Sequence, residues 1–132
     1  MNRKTLIFLL ALIACSVGMS AGAAMLNTAT GTLASTQAID GASANSVRVD
    51  GADALYVEYD VVSGTATIKL QQKILNGTNY TDVSGSSQTT DSILKIDNPA
   101  GEFQSVVSSC SSCSVTVKYQ AVYSQIEKKV HR

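Results

Sequence analysis

The sequence has no tryptophan, one histidine, one proline and two phenylalanines in 132 residues. Each scarcity removes a class of answer. The single histidine, His131, stands beside the terminal Arg132. A Ser/His or Cys/His nucleophilic system needs its imidazole held rigidly next to a third group, which a chain end rarely offers. With no tryptophan, any sugar-stacking surface has to be built from tyrosine. The lone proline sits in a turn, Asn98-Pro99-Ala100-Gly101, so no strand interior is interrupted. There is no excess of positive charge either. Ten basic residues face ten acidic ones; without Arg3 and Lys4 the balance is eight to ten, and without Glu127 to Arg132 it is five to nine. An acidic body repels phosphate backbones, which argues against a nucleic-acid partner. The late lysines and Arg132 read as a solvated tail, and no repeat of about 20–50 residues is present.

Long apolar runs are missing except at the start. Asn2, Arg3 and Lys4 precede the apolar Thr5–Ala14 (TLIFLLALIA), and small residues follow in CSVGMSAGAAM. That order is the layout of a secretory signal, and the run is short for a membrane span. Two processing routes are open. Small residues at Ala21-Gly22-Ala23 or Gly22-Ala23-Ala24 suit ordinary cleavage near Ala23 or Ala24. Leu12-Ile13-Ala14-Cys15 resembles a bacterial lipobox, in which Cys15 would be lipidated and become the new N-terminus. The expected organisation is a signal peptide over 1–24, a Thr/Ser/Ala-rich segment over 25–46, a β domain over 47–123 and a charged tail over 124–132. The expected location is secreted, periplasmic or cell-surface. The 25–46 segment is either a mobile leader or one weak edge strand around Thr30–Ala38, gripped by Leu33 and Ile39.

From Val47 onward the pattern has period two. In ALYVEYDVV, Leu55, Val57, Tyr59 and Val61 alternate with Tyr56, Glu58 and Asp60. After Ser63-Gly64, TATIKLQ puts Ala66, Ile68 and Leu70 on one face. Asn76-Gly77 is a two-residue hairpin signal between QQKIL and TNYTDV. A polar break, SGSSQTTD, leads to SILKI; the proline turn leads to EFQSVVS, and the last strand is SVTVKYQAVY. Strands at this spacing with one dry and one wet face predict an all-β fold, a small antiparallel β-sandwich of Ig-like or jelly-roll-like type. Val122, Ile126 and Val130 recur at helical spacing, but a strand fraying into the tail is the simpler reading.

Cys110 and Cys113 form a C-x-x-C between EFQSVVS and SVTVKYQAVY. A redox C-x-x-C opens a helix, whose dipole lowers one thiol pKa; here a Ser-rich turn and a strand flank it. A structural zinc needs four ligands, and beyond the leader only Cys110, Cys113 and His131 are soft donors. A disulfide fits, because residues i and i+3 of a β-turn lie within the reach of one. Export to an oxidising compartment favours it, and the count closes once Cys15 is removed or lipidated. The expectation is a clip at a hairpin tip.

Other candidate chemistry is thin. Glu58 and Asp60 share one outer strand face, the ordinary place for charge on a half-wet sheet, so no catalytic role is expected and the chain is read as no enzyme. Asp50, Asp53 and Asp60 cluster in DGADALYVEYD as weak calcium candidates without EF-hand spacing; a turn rich in Asp and Gly is the plainer account. Tyr56 and Tyr80 are candidates for stacking against a glycan, whereas Tyr59 and Tyr119 share the parity of the apolar face. Asn76-Gly77-Thr78 and Asn79-Tyr80-Thr81 match glycosylation sequons and also serve as turn chemistry. No cofactor is expected.

The stretches SGTATIKLQ, NGTNYTDV and NPAGEFQSVVS, within Ser46–Tyr119, resemble the small β-sandwich proteins of tailed-phage and prophage structural modules. The resemblance implies a non-catalytic surface or assembly module and carries over no functional residue. Two departures stand out: such proteins normally lack an export signal, and cysteines occupy positions where Gly, Ala or Thr is usual. The expected function is therefore an exported, non-enzymatic β protein with a structural or attachment role, acting on protein partners or on itself. Residues Leu26–Ala38 would then donate a strand to a neighbour or serve as a linker. The competing expectations are a carbohydrate-binding module and a lipid-anchored envelope protein.

Overall fold

The computed structural model describes residues Met25–Gln125; residues 1–24, read as a signal peptide and including Cys15, and the tail from Ile126 to Arg132, including His131, lie outside them. Alternation of apolar and polar residues builds two very long strands. Seven strands are present among the described residues: β1 (Met25–Gln37), β2 (Gly41–Ala42), β3 (Val47–Arg48), β4 (Ala54–Lys73), β5 (Thr81–Asp82), β6 (Ser92–Asp97) and β7 (Glu102–Gln125). All the registered pairs are antiparallel. They form one open sheet in the order β1-β7-β4-β5, with β2 and β3 also on β7 and β6 also on β4.

The spine is the β4/β7 ladder, which runs from Ala54↔Val122 to Lys73↔Glu102. In the sequence alternation each long strand reads as two. Ser63-Gly64 does not end a strand, and the cysteines do not sit at the tip of a hairpin. Instead both strands bend together. The register shifts between Val61 and Thr67, and Gly64, Ser109 and Ser112 carry φ of 66°, 53° and 47°. Such bulges kink a strand without ending its pairing. The inward set of β4 changes parity across the bend, from Leu55, Val57 and Tyr59 to Ala66, Ile68 and Leu70, all buried. Those are the two apolar sets that the alternation marks out.

Residues from both sides of the bend belong to one apolar cluster, with Leu33, Val57, Tyr59, Ile68, Leu70, Phe103, Val115 and Val117 at its centre. β1 joins it through Leu33 and Ala34, and its Thr36 N–H donates to Thr116 Oγ1 at 3.2 Å. Ile39 is no grip, being 73% exposed beyond the end of β1. The two-residue hairpin at Asn76-Gly77 does not form either. β4 stops at Lys73, and 74–80 connect it to β5. Within that loop the Gly77 N–H donates to the Ile74 carbonyl at 2.8 Å, and Asn76 takes φ 62°. The turn is therefore centred on Leu75-Asn76, one residue earlier than a tight Asn76-Gly77 hairpin would place it, and it leaves Ile74 and Leu75 exposed.

Candidate functional site

Three places hold the residues singled out by type and spacing. The first is the bend. Cys110 and Cys113 form a disulfide with Cα atoms 5.3 Å apart, both inside β7. The Cys110 N–H donates to Asp40 Oδ1 at 2.8 Å, and the two sulfurs lie 3.2 Å and 3.8 Å from the carbonyls of Ala38 and Gln37. Disulfide sulfurs carry no proton, so these are packing contacts. They set the staple against the end of β1. Gly64 passes directly beneath: a Cβ there would collide with the carbonyl oxygens of Ser111 and Ser112.

The second place is the end of the spine away from the bend. Glu102 Oε1 accepts from Ser46 Oγ and from Tyr80 Oη, each at 2.6 Å, and Lys73 Nζ is 3.2 Å from Oε2. These donors hold the Glu102 carboxyl down to about 2, against an ordinary 4.5. Burial, with the Glu102 bond second, pushes the Tyr80 hydroxyl up. Lys73 Nζ also lies 4.8 Å from the centre of the Tyr80 ring. Tyr80 thus locks the β4–β5 loop, and one face of its ring already carries a cation.

The third is a groove of about 440 Å³ crossing β1, β7, β4 and β6, lined by Thr30 to Thr32, Tyr56, Glu58, Ile93 and Lys118 to Gln120. Cross-strand pairing puts Ile93, Glu58 and Lys118 in one row and Lys95, Tyr56 and Gln120 in the next. Gly31 lies against Tyr119 here: a Cβ would come within 2.5 Å of its Oη, and the ring would have to shift. Tyr56 is half-buried with Lys95 Nζ 6.0 Å from its ring centre. Tyr56 and Tyr80 therefore belong to different sites and form no common platform.

The aspartates are not brought together. Asp50 accepts from Arg48 Nε at 2.9 Å and from the Gly101 N–H at 3.2 Å, and these bonds lower its pKa. Asp53 Oδ2 accepts from the Ser124 N–H at 2.6 Å. Asp60 lies opposite Thr116. Among the described residues no three His, Cys, Asp or Glu side chains converge as metal ligands would. No helix there is long and apolar enough to cross a membrane.

One residue that sequence reasoning passed over is Ser86, inside the stretch read as a polar break. It is buried, its Oγ accepts from the Leu70 N–H at 3.1 Å and donates to the Leu70 carbonyl at 3.2 Å, and its own carbonyl accepts from Tyr59 Oη at 3.1 Å. Its side chain completes the edge of β4 where no strand does. Four serines within SGSSQTTD and its flanks offer no periodic signal that would single it out.

No protein-family model and no curated protein matches the chain. Solved structures do. The chain is similar to the SPBc2 prophage-derived protein YomS at 19% identity, over 74% of this chain and 95% of that one, with a TM-score of 0.63. A structure of infectious bursal disease virus, Gx strain, gives 13% identity over 79% and 33% with a TM-score of 0.44. The Yersinia pseudotuberculosis-derived mitogen gives 14% identity over 81% and 92% with a TM-score of 0.42. The likeness to phage β proteins read in the strand and turn motifs thus has a structural counterpart: the chain shares its antiparallel all-β fold with a prophage-derived protein.

Proposed function

We propose that this chain is an exported, non-catalytic β protein with a structural or attachment role, acting through contact with other protein surfaces and with copies of itself. In this reading the bent sheet encloses its core as two layers of a jelly-roll-like sandwich. The single apolar cluster drawn from both sides of the bend supports that. The observation that carries the role is the division of the molecule into a stapled spine and an open edge: among the described residues β6 is hydrogen-bonded to β4 on one side only. A disulfide across Cys110 and Cys113 supports an oxidising destination. Intact mass of the processed protein, followed by sedimentation across concentration, tests the proposal. A start near Met25 with mass two hydrogens below the reduced value, and self-association, are expected. A diacylglycerol-bearing Cys15 would replace free secretion by lipid anchoring. Retention of the leader together with free thiols and a strict monomer would overturn the reading.

The groove supports a second reading, glycan binding. It sets a tyrosine ring beside carboxylate, amide, ammonium and hydroxyl groups, the donors and acceptors that sugar hydroxyls need. A glycan array with Tyr56→Ala as the control tests it, and flat binding across the array discards it.

A further inference from the structure

We infer that the edge of β6 is a self-association surface, pairing antiparallel with β6 of a second copy so that Lys95 of each faces Asp97 of the other. The inference rests on the self-assembly reading above and names the surface. The backbone carries it first. The Asn98 N–H donates to the Asp53 carbonyl at 2.9 Å, and the register continues through Ala54↔Asp97 to Tyr59↔Ser92. Hydrogen-bonded pairs alternate along an antiparallel ladder. Ile96, Leu94 and Ser92 therefore bond to β4, and the N–H and C=O groups of Ile93, Lys95 and Asp97 point to the open side. Among the described residues none of these groups has a hydrogen-bond partner there.

Each of the other edges is occupied in part. On β1 the Leu33 carbonyl accepts from the Asn45 N–H at 3.2 Å and the Thr32 carbonyl from Asn45 Nδ2 at 3.2 Å. β5 has two residues, and the edge of β4 beside it is filled by Gln88, which exchanges two 2.8 Å bonds with Ile68, and by Ser86. β6 has six residues and carries Ile93, 70% exposed. An unshielded edge with a large apolar residue is a template for another strand.

Charge selects the register. Pairing must keep Ile93, Lys95 and Asp97 on one face, because a one-residue slip would send Leu94 and Ile96 to solvent. Four two-fold registers centred on residues from Ile93 to Ile96 meet that condition. One sets Lys95 against Lys95. Another sets Ile93 against Lys95 and Asp91 against Asp97. The third, with its axis at Ile96, sets Lys95 against Asp97 twice. The fourth, with its axis at Ile93, sets Lys95 against Asp91, which lies outside β6 and whose Oδ1 already accepts from the Val61 N–H at 2.8 Å. Only the third pairs unlike charges with both partners inside β6. In the single chain Lys95 Nζ is 3.2 Å from its own Asp97 Oδ1, so both side chains already stand on that face.

Sedimentation of the full-length chain tests the pairing by charge exchange. Lys95→Asp and Asp97→Lys should each weaken association by roughly tenfold or more, since two attractive cross-strand contacts become repulsive. The double exchange should restore it. Far-ultraviolet circular dichroism of each variant confirms the fold. Ile96→Cys should cross-link between copies under oxidation, and Ile93→Cys should not, because only the former meets itself at the axis. If the chain associates but neither the exchanges nor Ile96→Cys behave so, the β6 surface is wrong while self-assembly stands. A monomer at every concentration removes both.

Discussion

The two halves of the β4/β7 spine are built from the same strands and finished differently. Beyond the bend toward Ala54 and Val122, the spine is flanked by β1 and β6, strands of 13 and 6 residues. Toward Lys73 and Glu102 its flanks are fragments: β2, β3 and β5 have two residues each. In the first half backbone pairs mainly with backbone, and side chains such as Asp53 and Asp91 serve only the strand ends. In the second, side chains take over the ladder's work. Ser86 serves Leu70, Ser43 Oγ accepts from the Ser105 N–H at 3.1 Å, and Gln72 Nε2 donates to the Ala100 carbonyl at 2.6 Å. Buried backbone groups must be satisfied by some partner. A half lacking strands therefore needs polar side chains at defined positions, and its sequence reads as loop.

The comparison can be broken hardest where the halves meet. Gly64→Ala combines a left-handed backbone with a collision against the Ser111 and Ser112 carbonyls. It should cost about 3 kcal/mol or more, read as a large fall in Tm. Ser86→Ala leaves the buried Leu70 N–H without its acceptor, and should cost about 1–3 kcal/mol in a denaturant melt. A matching polar-to-alanine change in the strand-flanked half, such as Ser114→Ala, should cost less than half as much. Replacing both Cys110 and Cys113 by serine frees a four-residue loop. The loss should be about 2 kcal/mol, small because short loops gain least from closure.

The smallest effect sharpens the contrast through pH. The Glu102 carboxyl is held at about 2 in the folded chain against 4.5 ordinarily. A depressed pKa means stability that is complete above about 4.5 and is lost as pH falls toward about 2. Asp82, lowered by Lys69 and Gln71, and Asp50, lowered by Arg48 and Gly101, act in the same direction. Glu102→Gln should flatten the acid limb of a stability–pH curve without removing it. An unchanged slope would show that the cluster adds nothing to the fragment-flanked half.

Local pattern reached far in one half and little in the other. Leu55, Val57, Tyr59, Ala66, Ile68 and Leu70 are buried as their alternation demands, since a half-wet strand must put every second side chain inside. The cysteine pair was legible because i, i+3 spacing brings Cα atoms within disulfide reach. Three features were not. Ser63-Gly64 and the Ser-rich cysteine segment look like turns, and they are bends because each lies opposite the other in the ladder. Tyr80 looks free and is bound, because Glu102 reaches it from 22 positions away along the chain. Ser86 looks like filler and is buried. Side-chain period is a property of each strand alone, so residue order suffices to set it. Whether a polar residue meets water or an orphaned backbone group depends on which distant segment lies alongside, and that is settled only when the sheet assembles.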